Sequence, residues 1–498
     1  MAEKGEADLK KKLADIVGED ACSDNTELLE QYASCMGLAA DGKPVLVVKP
    51  DDARQVRRII HLARDMDLNL APVSSAPPRI RGDSIPCGEG VIVDLSEMDK
   101  ISRIDRRNKV AIIEPGVTFP ELVEAADNVG LKVLMPLLPR AGKSVLASYL
   151  EREPITIPRY HWDMTDPLLC TELVFGTGDV FRTGSASGPG SLEEQRAKGG
   201  AQKNPLGPGQ TDMARIVQGS QGTIAMVTWA SIKLEVKPAI HRVYFVPDEK
   251  LSRLMEFSYR SLRPRLGDEW LILNSYALAT IIADSPDKIS GLADKQAPYT
   301  LVYCISGLMR SPHKRVAYQE RDLARIAQAA GVEAVPEITG CSAKKMERIL
   351  AAPSPEPYYK TVPKGAFTDI FFLTTLDKAE SFIEVMQRAC KKHKYEAEEL
   401  GIYIQPIQHG RTIHLEFSIY YDPKDKEDTE KAKALFEEAS AALDKAGAFF
   451  SRPYGYWSEL AYARCPDTVE ALQKVKDMLD PDNVLNKGKL CFGEGEVG

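Results

Sequence analysis

The sequence predicts an α+β protein of more than one domain, and three stretches predict it. Residues 44–73 read as strand, capped helix and strand. Residues 216–238, IVQGSQGTIAMVTWASIKLEVKP, read as a tight turn that feeds a long apolar strand. Residues 239–447 alternate strands with helices, the pattern of a sheet with helices on one face. At 498 residues the chain is long enough for two or three domains with sizeable cores.

Composition narrows the function classes. Apolar residues make up 44% and charged residues 27%, ordinary for a soluble globular protein. A net charge of −8 argues against a nucleic-acid partner. No apolar run approaches the roughly 20 residues of a membrane-spanning helix. The first twenty residues are charged and lack an apolar signal core, so a cytoplasmic protein is expected. The nine cysteines, at 22, 35, 87, 170, 304, 341, 390, 465 and 491, are scattered without a CxxC pair. That spacing argues for free thiols and against zinc or iron–sulfur sites in this chain.

Taken in order, residues 5–38 read as helices. Leu9, Leu13 and Ile16 recur at helical spacing, and Asp24 or Asn25 caps a second helix over 26–33. PVLVVKP is a short strand closed by Pro50. Asp51 or Asp52 caps the helix 53–67, whose apolar face is Val56, Ile59, Ile60 and Ala63. LNLAPV is the second strand of a right-handed βαβ unit. The loop that follows, SSAPPRIRGDSIP at 74–86, holds one glycine, Gly82, and its two prolines lack N–H donors.

Residues 90–133 read as strand, turn, strand over 109–113, a Pro-Gly turn at 115–116, and a helix from Thr118. A GTGD turn with Asp179 after Gly178 makes a hairpin. Residues 185–212 form a long polar loop, and loops of that length tend to be functional or mobile. In the glycine turn, Gly219 and Gly222 let backbone pass close to another surface. In the tail, VKDMLDPDNVLNKGKLCF, a helix ends before Asp480 and the chain turns back at 486–488.

The ordered strings at 90–133, 170–184, 216–238 and 475–490 resemble the FAD-linked oxidases of the vanillyl-alcohol-oxidase, or PCMH, type. That family includes glycolate oxidase subunits, D-lactate dehydrogenases and 4-cresol dehydrogenase. The resemblance implies a two-subdomain FAD-binding domain over 1–238, its βαβ part starting near 44 and its second part near 110. It also implies a substrate, or cap, domain with an antiparallel sheet over 239–454, and a segment 455–498 that returns to the FAD domain. The family holds the FAD pyrophosphate on glycine-rich backbone at the 74–86 loop, and here that loop departs from the pattern. Ser74, Ser75, Arg79 and Arg81 offer hydroxyl and guanidinium donors instead, beside Gly82 and Asp83. The segment 134–160 departs as well, being glycine-poor. The resemblance assigns further cofactor contacts to Gly116, His161, Asp166, Gly219, Gly222, Thr223, Met226 and Asn486. Covalent members often attach FAD through a histidine in the pyrophosphate loop. Residues 72–86 contain none, so non-covalent FAD is expected, with His161, Cys170 and cap tyrosines as the remaining attachment points.

On the substrate side, alternation along IQHGRTIHLEFS puts His409 and Arg411 on one strand face and His414 and Glu416 on the other. Residues 451–457 add Arg452, Tyr454, Tyr456 and Trp457. The expectation is that His409 or Tyr454 takes a hydroxyl proton while Arg411 or Arg452 holds negative charge. No metal is expected, the alternative being a site of His409, His414 and Glu416. The implied reaction moves a hydride from a hydroxy acid or an aromatic alcohol or phenol to flavin N5. Electrons then pass to oxygen, a soluble carrier, or a separate iron–sulfur or electron-transferring-flavoprotein partner. A homo-oligomer or a subunit of a complex is expected. The alternative reading is a flavoprotein-like subunit with weakened FAD binding, acting as scaffold or electron-transfer partner.

Overall fold

A computed structural model describes residues 3–38, 42–160, 167–208 and 213–493. His161 and Asp166 therefore lie outside the described residues. Among the described residues no helix is long and apolar enough to cross a membrane.

Three sheets carry the architecture. The first has four strands in the order Cys22–Ser23, Lys43–Val48, Glu89–Asp94, Leu70–Val73. The last three are parallel, and Glu89–Asp94 lies between the two strands of the βαβ unit. The crossover helix Ala53–Met66 starts where the Asp52 carboxylate accepts the Gln55 N–H, and it buries Val56, Ile59, Ile60 and Ala63 as its spacing predicts. Asn25 caps the preceding helix in the same way, accepting from Leu28 N.

The second sheet is antiparallel, in the order Ile101–Asp105, Val110–Ile113, Ala225–Lys233, Leu168–Phe175, Val180–Arg182. Its central strand leaves the glycine turn directly. Helix Phe119–Asp127 begins at a capping box of Thr118 and Glu121 and drives Phe119, Leu122 and Ala126 into the core.

The third sheet has six antiparallel strands, in the order Ile240–Asp248, Tyr299–Gly307, Trp270–Asn274, Gly401–Ile407, Thr412–Tyr421, Ala366–Thr374. Ile404, Leu415, Phe417 and Phe372 point to one face, under helices Leu251–Leu262, Pro312–Ala330, Ala379–Lys392 and Lys426–Lys445. The expectation of helices on one face alone needs correcting. On the other face Val243, Leu271 and Leu273 are also buried, against helices Ser275–Ile282 and Ala343–Ala351 and against Leu137 and Leu138. The rest of that face is polar and buried, and it borders the cavities described below.

A second correction concerns residues 408–411. They do not continue a strand. Gln408, His409 and Gly410 all have positive φ and form a turn between Gly401–Ile407 and Thr412–Tyr421. The strand alternation expected for His409 and Arg411 is lost there.

The tail is pinned by buried polar groups. Lys476, 1% exposed, donates to the Thr223 carbonyl at 2.7 Å and the Leu485 carbonyl at 3.0 Å, and it pairs with Asp480. Asp480 in turn accepts the N–H groups of Val484 and Leu485.

Candidate active site

A cleft of about 1080 Å³, its solvent-open mouth included, runs between the first two sheets. The 74–86 loop forms one wall and the 217–222 turn the other. Gly219 and Gly222 have φ of +74° and +73°, and a Cβ would strike the Arg152 guanidinium at the first and Pro72 at the second. The two glycines are what let the backbone close on the cleft. Apolar surface comes from Val73, Leu95, Leu146 and Val227.

Arg79 lines this cleft and is 6% exposed. Its guanidinium lies over the Tyr32 ring at 4.3 Å, and its three nitrogens find no hydrogen-bond acceptor among the described residues. Burial pushes it below its ordinary pKa, against the pull of Tyr32 and Asp94. A buried cation without a hydrogen-bonded acceptor is costly, and an anionic ligand removes that cost. An apolar, glycine-floored cleft with such a cation fits a flat dinucleotide carrying phosphates, and FAD is such a group.

Of the residues assigned to the cofactor, Ser74, Ser75, Arg79, Arg81, Asp83, Gly219, Gly222 and Met226 line the cleft. Gly82, Gly116, Thr223 and Asn486 support it from behind. Gly82 accepts from Lys489, and a Cβ on Gly116 would enter the Ser96 carbonyl. Thr223 Oγ1 donates to the Ser220 carbonyl at 2.7 Å. Asn486 Nδ2 bridges the two walls, donating to the Asp83 carbonyl at 3.1 Å and the Gln221 carbonyl at 2.6 Å. Cys170 is buried beside the Asn204 carbonyl, away from the cleft.

A second cavity of about 550 Å³, its solvent-open part included, adjoins the first and shares Ile80, Arg81, Arg140 and Lys143 with it. Lys143 Nζ sits 2.8 Å from both oxygens of Glu151 and 3.5 Å from Glu153. Arg81 lies 3.4 Å from Glu151 and 3.7 Å from Glu153, with its guanidinium over Phe371 and Tyr454. Burial opposes the charge on Glu153, yet Lys143 and Arg81 bring its carboxyl down to about 2. Burial wins at Glu151 and raises it.

The far wall is the polar face of the cap sheet. Alternation there does hold for His414 and Glu416, which share a face, together with Tyr403 of the neighbouring strand. Lys360 Nζ bridges Asp369 at 2.8 Å and Glu416 at 2.5 Å. His414 Nε2 lies 3.3 Å from Glu416 Oε2. Burial lowers the His414 pKa despite that carboxylate. Glu416 is pulled well below the carboxylate range, burial being outweighed by Lys360 and His414.

Arg452 lines the second cavity and Tyr454 the first. The Arg452 guanidinium packs 4.2 Å from the Phe371 ring, and Nη1 reaches the Glu151 carbonyl at 3.5 Å. Burial raises Tyr454, so its hydroxyl keeps its proton.

His409 and Arg411 line neither cavity. The His409 N–H donates to the Pro158 carbonyl at 2.9 Å, and burial with Arg265, Arg159 and Arg411 lowers its imidazole. The trio His409, His414 and Glu416 does not gather its ligand atoms among the described residues. Sequence reasoning missed Lys143, Glu151, Glu153, Lys360, Asp369 and Tyr403. The alternation in FTDIFF was a usable signal for Asp369, since it sets one carboxylate among inward-facing aromatics.

Family comparison agrees with this geometry. Residues 44–184 match the FAD binding domain model, and residues 293–490 match that of the FAD linked oxidases, C-terminal domain. The chain belongs to the FAD-linked oxidases with a PCMH-type FAD-binding fold. It is 24% identical to the glycolate oxidase subunit GlcD of Bacillus subtilis over 233 residues, 46% of this chain and 45% of that protein, so the match spans under half of that relative. It is 22% identical to the 4-cresol dehydrogenase [hydroxylating] flavoprotein subunit of Pseudomonas putida, over 96% of this chain and 94% of that one. A crystal structure of p-cresol methylhydroxylase with substrate bound superposes with a TM-score of 0.82 at 18% identity, covering 98% of each chain. That likeness establishes the fold.

Proposed function

We propose that this chain is an FAD-dependent dehydrogenase or oxidase. It takes a hydride from a hydroxy acid or an aromatic alcohol or phenol and passes the electrons to a separate acceptor. In this reading residues 1–238 and 455–498 hold the cofactor, and 239–454 carry the substrate face. The observation that carries it is the shared wall of Ile80, Arg81, Arg140 and Lys143, which joins a dinucleotide-shaped cleft to a cavity lined by buried ionic and phenolic groups. Relatives that oxidise hydroxy acids and cresol support the donor class.

Bound FAD supplies the hydride acceptor; the protein binds, orients and moves protons. Arg79 and the glycine turn would hold its pyrophosphate. Arg452 sits on the cavity wall and holds the substrate's negative charge. Its role replaces that expected for Arg411. His414 takes the hydroxyl proton in place of His409. With Nε2 donating to Glu416, Nδ1 is the acceptor, and Lys360 keeps Glu416 ionised.

FAD is held non-covalently in this reading. Acid precipitation is expected to leave yellow flavin in the supernatant; a yellow pellet contradicts it. A preparation with no flavin and no uptake of added FAD would instead favour a scaffold subunit.

The base assignment predicts the pH profile. His414 accepts a proton only when neutral, and its pKa is depressed by burial. Substrate-driven bleaching of the flavin, kcat/KM, should therefore rise with pH through a step below the ordinary histidine value of about 6.5 and then level off. His414→Gln should remove the step and slow bleaching by about 10²–10⁴-fold. An unchanged profile in that variant places the base elsewhere.

A further inference from the structure

We propose that His241, Glu269 and Cys304, which line neither cavity, form a binding site for one divalent transition-metal ion of the zinc type. The sheet register assembles it. Val243 pairs with Cys304, so His241, two residues back on the same face, is diagonal to Cys304. The Glu269 carbonyl accepts the Cys304 N–H at 3.0 Å, and Glu269 shares the face of Leu271 and Leu273. Two adjacent strands and the residue that leads into a third thus bring one sulfur, one imidazole nitrogen and one carboxylate oxygen together.

These ligand atoms all lie within 4.8 Å of one another, and His241 Nε2 is 2.9 Å from Glu269 Oε2. Zinc bonds of about 2.0–2.3 Å place tetrahedral ligand atoms roughly 3.3–3.7 Å apart, so side-chain shifts of up to about 1 Å admit the ion. Sulfur, imidazole and carboxylate are the donor types that zinc selects.

The surroundings are built as they are around bound metals. Glu347, from helix Ala343–Ala351, faces His241 Nδ1 at 3.5 Å, which leaves Nε2 for the ion. Lys132 holds the other oxygen of Glu269, so the carboxylate presents Oε2 alone. Both imidazole nitrogens face carboxylates. The ion takes the place of the Cys304 thiol proton and of a proton on His241 Nε2, and these leave to solvent. Glu347 is 43% exposed and marks the entry side. Lys132 belongs to strand Leu131–Lys132, and its ion pair with Glu269 ties that strand to the cap sheet.

The test uses the full-length protein with its flavin. After chelation and desalting, Zn²⁺ is added in excess, removed by gel filtration and counted by elemental analysis. Co²⁺ is titrated in parallel and followed by difference absorption. About one retained zinc per chain is expected, with a thiolate-to-cobalt charge-transfer band. Cys304→Ser should abolish that band. Glu347→Ala, on an exposed position, should weaken binding about 10- to 100-fold while keeping the band. No charge-transfer band in the wild-type protein, or an unchanged band in Cys304→Ser, overturns the site. Flavin absorbance is read from the same samples, so failure here is separable from failure to bind FAD.

Discussion

Replacing Lys360 with methionine is expected to destabilise the protein by about 3–5 kcal/mol at pH 7 and to stop substrate-driven reduction. The methionine keeps the apolar stem and removes only the charge. What remains is Asp369 and Glu416, both buried, with their ammonium gone from 2.8 and 2.5 Å. Breaking a buried pair from one side leaves charge without compensation, which is the costly case. The sign with pH follows. In the wild-type protein Glu416 has a depressed pKa. Its stabilisation is therefore present above the unfolded carboxyl value of about 4.3 and is lost as pH falls below it. In the variant both carboxyls titrate high, and taking up a proton relieves the repulsion. The deficit should therefore shrink as pH drops from 7 to 5. Urea unfolding at the two pH values measures it, and Glu416→Gln added to Lys360→Met should restore part of the loss. A deficit below about 1 kcal/mol, or one equal at both pH values, means the triad is not held by its charges.

How legible this was depends on how local the cause is. The helix Ala53–Met66 was readable because Asp52 and the Val56, Ile59, Ile60, Ala63 spacing act within one segment. The same holds for Thr118 and Glu121. The insertion of Glu89–Asp94 between the two βαβ strands was not readable, because pairing order is a long-range choice. At 408–411 an apolar–polar rhythm continued through a turn whose hints were only Gly410 and the polar run around it. In the site, Arg79 was readable by chemistry, as a cation in a loop short of backbone donors. Lys360, Glu151 and Glu153 were not. Each lies in an unremarkable polar segment, and only tertiary packing buries it against a partner from another element. The same reason hid His241, Glu269 and Cys304, which come from three separate segments of the cap sheet and share no local spacing.

Replacing Arg79 with methionine is expected to move two quantities in opposite directions. FAD affinity should fall by about tenfold to a hundredfold. One lost charge-assisted hydrogen bond is worth about 1.5–3 kcal/mol, and about 1.4 kcal/mol is a factor of ten. The flavin-free protein, in contrast, should become more stable or stay level. Its guanidinium is 6% exposed with three nitrogens lacking acceptors among the described residues. Such a buried group costs about 1–3 kcal/mol or more, and methionine removes that cost. Against it stands the stacking on Tyr32 at 4.3 Å, worth about 0.5–2 kcal/mol. Melting temperatures with and without added FAD measure both quantities, because a ligand that binds only the folded state raises the midpoint according to its affinity. The rise on adding FAD should be smaller in Arg79→Met, from an apoprotein baseline no lower than wild type. If the variant binds FAD as the wild-type protein does and its apoprotein melts lower, Arg79 serves the buried Tyr32–Asp94 pair and not the cofactor.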